Sequence, residues 1–211
     1  SIGAKFDLPD GVKLTGLLTH RWRNGNEGLW LERRIGMEHE DWGSVTTGSM
    51  TTHAWHIANY PFGGHIAITG AWSSVGSSYA LQSRALRVTS RLLDAFEGDL
   101  SLQATWSRRE PGRQGGAPHL LEVWLGYASR DLNFDFIVQQ AGSRPEPLLI
   151  DGGSNNLTFS TPYPYWSGRV SRGLVMAHVR WRYTTRTELL GGWRLNQWNT
   201  TTAQALPSSA R

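Results

Sequence analysis

The chain contains no cysteine. A disulfide framework, a thiolate nucleophile and a Cys-ligated metal are therefore excluded, and with them a small secreted scaffold held by staples. Lysine is almost as scarce: Lys5 and Lys13 are the only two, so the formal net charge of +4 comes almost entirely from arginine. Arginine suits bidentate pairing and stacking, which is compatible with contacts to neighbouring subunits or to nucleic acid. No run of like charges forms a nucleic-acid arm. No apolar run approaches the ~20 residues of a helical membrane span, and no signal-peptide core opens the chain, so no membrane span is expected. An initiating Met is missing too, and a start at Ser1 suits a piece cut from a precursor.

What is present points to strands. At 211 residues with 39% apolar content the chain is ample for one core. Eleven Trp and 24 Gly, with many Thr and Ser, fit short strands joined by turns better than a helix bundle.

Turn signals at Pro9-Asp10-Gly11 and Asn24-Gly25-Asn26 flank a strand predicted over 12–18. Residues 1–26 read as an N-terminal arm or first strand. Strands are predicted over 27–37, where Arg33 interrupts an apolar face, and over 44–52, 54–58 and 64–72. Leu81, Ala85, Val88 and Leu92, at offsets of four, three and four, predict a helix over 79–93. Residues 99–107 follow as a half-buried strand with Leu100, Leu102, Ala104 and Trp106 at period two. Residues 107–118 form a basic Gly- and Pro-rich loop, then come strands at 119–127 and 133–139 and a long loop at 141–156. In the last strand, 173–185, Val175, Ala177, Val179, Trp181 and Tyr183 alternate with Met176, His178, Arg180 and Arg182. The tail over 199–211 is rich in Thr, Ser and Ala. The expected fold is all-β: an antiparallel double-sheet jelly roll over 27–198, with one or two short helices and long loops.

Residues 156–166, NLTFSTPYPYW, make a strand that ends in a stiff aromatic elbow, because Pro162 and Pro164 fix their own φ and extend the residue before them. Phe159, Pro162, Tyr163 and Trp166 would fix the chain there. Leu157 to Tyr163 is similar to the Phe-Ser-x-Pro-Tyr of picornavirus major capsid proteins. A helix leading into Leu93 to Leu102, and a closing strand pair from Val175 to Trp193, resemble further landmarks of that family in the same order. The resemblance is strongest to the fivefold-vertex subunit. It departs where the family's Pro-Pro-Gly-Ala-Pro and terminal Cys-Pro-Arg-Pro are absent, and no Arg-Gly-Asp triplet occurs.

That resemblance implies a non-enzymatic subunit of a small icosahedral RNA virus. Such a subunit would be found in the virion and, during assembly, in the host cell cytoplasm. Its implied partners are sister capsid proteins, copies of itself around the fivefold axis, an unknown host receptor and the RNA genome on the inner face. Arg108, Arg109, Arg113, Gln114 and Arg144 are candidates for receptor or antibody contact on exposed loops. A lipid-like pocket factor is implied by the family alone, and no other cofactor is expected.

Other chemistry is weaker. His39, His53, His56 and His65, near Glu38, Glu40 and Asp41, invite a metal, but on a strand His53 and His56 face opposite ways and no helical His-Glu-x-x-His exists. They stand instead as pH-sensing candidates, titrating near about pH 6 at subunit boundaries. Asp131 and Asp135 share a face if extended, as the acid and base of a jelly-roll glycoside hydrolase would; two solvated carboxylates are the simpler reading. Trp30, Trp55, Trp72, Trp124 or Trp166 could stack on sugars in a carbohydrate-binding sandwich, such as a lectin or a viral spike head.

Overall fold

The computed structural model describes residues 1–23, 26–54, 81–108, 119–147 and 167–200. The described residues form one antiparallel sheet of 11 strands: β1 Ile2–Asp7, β2 Lys13–Arg23, β3 Asn26–His39, β4 Gly43–Thr51, β5 Leu81–Thr89, β6 Leu93–Ala95, β7 Gly98–Ser107, β8 Leu120–Ser129, β9 Leu132–Pro147, β10 Ser167–Arg182 and β11 Glu188–Thr200. Sequence neighbours are sheet neighbours throughout, apart from β6, which continues the line of β5 along β7.

This corrects the jelly roll. A double-sheet fold needs strands that leave one sheet for the other, whereas this chain is an uninterrupted meander with no second sheet among the described residues. The strand content was legible, and the layering was not. The helix expected over 79–93 is also overturned: its described part is β5 and β6, with Ala85 and Arg87 buried on one face and Leu86 and Val88 exposed on the other. The β-branched Val88 and Thr89 favour that geometry, and apolar offsets of four fit a two-residue period as well as a helical one. The loop expected from 141 is strand as far as Pro147.

Which face is buried is the larger surprise. On β7 the buried side chains are Ser101, Gln103, Thr105 and Ser107, while Leu102 and Trp106 are exposed. On β10 Met176 and His178 are buried, while Val179 and Trp181 are exposed. The period-two alternation holds, but the apolar stripe of most strands faces outward.

Register makes this a property of the whole sheet. One transverse row runs Phe6, Leu14, Met37, Val45, Val88, Ala104, Val123, Val138, Val175, Leu195, one residue from each of ten strands and every one apolar. The adjacent row on the opposite face runs Lys5, Thr15, Gly36, Thr46, Arg87, Thr105, Glu122, Gln139, Leu174. A water-soluble sheet with one solvated face presents the reverse arrangement.

The two ends also differ. One end is closed by short turns at 8–12, 40–42, 90–92, 96–97, 130–131 and 183–187, and the other carries the long connections at 52–80, 108–119 and 148–166. Aromatic side chains gather at the short-turn end: Phe6, Trp42, Phe96, Trp181 and Tyr183 are all exposed there, Phe96 at 92%. The Tyr127 hydroxyl donates to the Phe96 carbonyl at 2.6 Å, and Trp181 and Tyr183 meet edge to face at 5.3 Å.

Candidate functional site

The polar face carries a connected set of side chains gathered on the segment that follows β4. Gly48 begins this arrangement. Its φ of +128°, at a register shift between Gly48 and Met50, is a backbone state that L residues rarely adopt, and a Cβ there would strike the Arg33 carbonyl. Past this irregularity Met50, Thr52 and Ala54 are fully buried, with His53 and Ala54 helical.

Three inward side chains from three strands hold this segment. Glu32 of β3 accepts from the Thr51 amide at 3.1 Å and from its hydroxyl at 3.0 Å. Arg87 of β5 donates to the Thr51 carbonyl at 2.6 Å and, through Nε, to the Thr105 hydroxyl at 2.9 Å. Glu122 of β8 accepts from the amides of His53 at 2.6 Å and Ala54 at 3.1 Å, and from the Gln139 side chain at 2.9 Å. Glu122 is 1% exposed, so a buried carboxylate is satisfied by three donors.

Beyond these bonds the segment packs on apolar wall. Ala54 clusters with Ile137, Leu174 and Met176, with Trp124 against them. The His53 ring stacks on Trp124 at 4.1 Å, and the Trp124 indole N–H donates to Asp135 at 2.8 Å. Gly126 makes room for that indole: a Cβ there would overlap the Trp124 ring. The chain thus crosses the polar face from β4 to β8, β9 and β10, which requires the sheet to curl around it.

Beside this crossing lies a polar cavity of about 340 Å³, lined in part by Thr15, Arg34, Glu38, Thr46, Arg87 and Gln103. Lys5 on β1 pairs with Glu38 at 2.6 Å. The cavity's described lining puts charges of both signs on a concave wall, a surface suited to polar solutes.

The residues singled out from sequence scatter over this frame. His39 ends β3, its Nε2 2.9 Å from the Asp10 carbonyl and its Nδ1 accepting from the Asp41 amide at 3.1 Å, stacked on Trp42 at 5.8 Å. His53 belongs to the inward segment, and His56 and His65 lie outside the described residues. Among the described residues no group of three His, Asp or Glu is placed to hold a metal. Arg108 is exposed just past β7, and Arg144 is on β9 rather than in a loop. Arg109, Arg113, Gln114 and the elbow of Phe159, Pro162, Tyr163 and Trp166 lie outside the described residues. Asp131 is exposed in the β8–β9 turn, where its carbonyl accepts from the Arg182 amide at 2.7 Å, while Asp135 is half-buried beneath Trp124. Of the candidate sugar-stacking tryptophans, Trp124 is half-buried and occupied by these contacts. Sequence reading missed Glu32 and Glu122 because each looks like an ordinary polar residue on the solvent side of a strand, and Arg87 because it fell on the polar face of the helix expected over 79–93.

No helix among the described residues is long and apolar enough to cross a membrane, which does not bear on strands. No protein-family model matches the sequence, and no curated protein matches it. Among solved structures the chain is similar to OmpTdeltaL8, the loop L8 deletion mutant of OmpT, an outer membrane protein of Vibrio cholerae. The TM-score is 0.66 at 12% sequence identity, with 94% of this chain covering 60% of that one. What is shared is the fold, an all-β antiparallel meander resembling the wall of an outer membrane β-barrel.

The picornavirus resemblance is overturned by this. Its first landmark, a helix before Leu93, is strand, and its closing pair β10–β11 is a hairpin continuing one meander rather than the edge of a second sheet. With it fall the capsid role, the sister capsid proteins and fivefold copies as partners, the RNA genome on an inner face, host receptor attachment, and the virion and host cytoplasm as locations. The expected absence of a membrane span also needs correction. It applied a helical criterion to a chain whose strands alternate and so never present a long apolar run.

Proposed function

We propose that this chain forms the wall of a transmembrane β-barrel in an outer membrane, enclosing a polar, non-catalytic passage for small hydrophilic solutes. The observation that carries the reading is the unbroken apolar row across ten strands, backed by a row that is polar from Lys5 to Gln139. Lipid outside and water inside account for both rows at once. Supporting it are strand lengths of 9–16 residues for most of the strands, against the ~9–11 that a tilted strand needs to span. The short turns and aromatic cluster at one end, with long connections at the other, agree with it.

In a bilayer the outer edges of β1 and β11, each paired on one side only among the described residues, must themselves be paired, because hydrocarbon satisfies no backbone donor or acceptor. The segment Thr51–Ala54, drawn across the interior, narrows the passage beside the Arg34–Arg87 cavity. Reconstitution into planar lipid bilayers tests the proposal. Stepwise, salt-dependent conductance is expected, and insertion without any conductance would reject the passage while leaving the wall.

A further inference from the structure

The polar cavity of about 340 Å³ beside the crossing segment holds two donor groups that the protein leaves unused. Gln103 of β7 lines it and is only 8% exposed. Its side-chain oxygen accepts a long bond from the Thr89 hydroxyl at 3.5 Å, and its amide nitrogen has no hydrogen-bond partner among the described residues. Buried donors are ordinarily satisfied, so this one points to an acceptor that the chain does not itself supply. Arg34 of β3 is half-buried on the same wall, and no acid pairs with it among the described residues. The charge it meets is the like charge of Arg87.

Register sets these groups side by side on four adjacent strands. In one inward row Glu38 pairs with Ser44, Ser44 with Thr89 and Thr89 with Gln103; in the next, Gly36 pairs with Thr46, Thr46 with Arg87 and Arg87 with Thr105. A Cβ at Gly36 would press on the Thr46 hydroxyl at 2.7 Å, so that position stays bare and the space between Arg34 and Glu38 stays open. The acids nearby are committed elsewhere: Glu38 to Lys5 at 2.6 Å, Glu32 to Thr51, and Glu122 to the His53 and Ala54 amides and Gln139. Glu122 and Glu32 also balance the charge of Arg87, so Arg34 is the cation left over. Arg87 gives Nε to Thr105 and one terminal nitrogen to the Thr51 carbonyl, which leaves its other terminal nitrogen for a ligand.

We propose that this cavity binds a small solute through its phosphate group, held by the Arg34 and Arg87 guanidiniums and the Gln103 amide. The inference rests on the polar-passage reading and names the class of solute that the passage takes up. A guanidinium fork matches phosphate oxygens two at a time, and its charge strengthens each bond. A planar carboxylate is satisfied by one such fork. Donors that converge from β3, β5 and β7, with the Ser44, Thr46 and Thr89 hydroxyls among them, match an anion whose oxygens point in several directions.

The test is calorimetric titration of the full chain, folded in phosphate-free detergent micelles, with inorganic phosphate, glycerol 3-phosphate and acetate. The wild type should bind phosphate saturably and at least about tenfold more tightly than acetate. Glycerol 3-phosphate should compete for the same site, and the tighter of the two phosphates tells whether the free ion or an ester is the better ligand. Arg34→Gln should weaken phosphate binding about tenfold, and Gln103→Leu should weaken it by a smaller factor, since a neutral donor is lost instead of a charged one. Arg130→Gln, in the exposed β8–β9 turn, makes the same change of charge away from the cavity and should leave binding intact. Equal binding by the wild type and Arg34→Gln would overturn the proposal, as would acetate bound as tightly as phosphate. Conductance without phosphate binding would reject the site and leave the passage, whereas phosphate binding without conductance would keep the site and count against the passage. Gel mobility before and after heating confirms that each variant is folded.

Discussion

Glu122 is the most constrained side chain of the polar face. Its carboxylate ends three hydrogen bonds, two of them from backbone amides of the inward segment, and water has almost no access to it. Bonds to a charged group contribute roughly 1.5–3 kcal/mol each, and removing the acceptor leaves the two amides without their partner. Glu122→Ala should therefore release Thr52 to Ala54 while the sheet stays paired. Amide hydrogen exchange at His53 and Ala54 should accelerate at least about tenfold, and single-channel conductance should rise as the segment leaves the passage. Unchanged exchange would mean that packing of Ala54 on Ile137 and Met176 holds the segment alone. None of this was legible in advance, because a Glu in a strand of alternating pattern is ordinarily a solvated residue. What makes it a latch is the Ala54 backbone, 68 residues away in sequence, and no local spacing reports that.

The strands were legible as elements and ambiguous as surfaces. Leu100, Leu102, Ala104 and Trp106 announce β7 at period two, and Val175 to Trp181 announce β10, since alternation needs no knowledge of solvent. Alternation alone does not say which stripe is wet. The signal that would have decided it lies opposite the apolar stripe. A strand face turned to bulk water is ordinarily rich in Lys and Glu, but here it carries Ser101, Gln103, Thr105 and Ser107, in a chain with two lysines. Substitution separates the faces. Val123 lies in the middle of the ten-strand apolar row, and Val123→Arg should cost about 2–4 kcal/mol of stability in a bilayer by placing a guanidinium in hydrocarbon. Thr15→Lys, on the opposite face and beside the polar cavity, should stay within about 0.5 kcal/mol because water reaches it. Denaturant titration of both variants in vesicles measures the difference, and equal costs would show that the outward row is not lipid-facing.

At the scale of the molecule, the outer surface poses a solvent problem that the fold does not solve internally. Ile2, Phe6, Ile35, Val88, Leu102, Trp106, Val123, Val138, Trp181 and Trp193 are all exposed. A contiguous band of this kind far exceeds the few hundred Å² that a water-soluble monomer ordinarily tolerates. Dispersed in plain buffer the chain should aggregate, and it should fold to a defined species only when vesicles or micelles supply the missing apolar phase. Tryptophan is the built-in reporter. Trp106, Trp181 and Trp193 point outward, whereas Trp124 points inward and is stacked under His53. Vesicles of brominated phosphatidylcholine should quench a substantial share of the intrinsic fluorescence. Replacing Trp106, Trp181 and Trp193 together by Phe should remove much of that quenching while leaving the Trp124 emission in place. If bromines quench the triple variant as strongly as the parent, the outward face does not meet acyl chains, and the apolar row must be covered by protein instead.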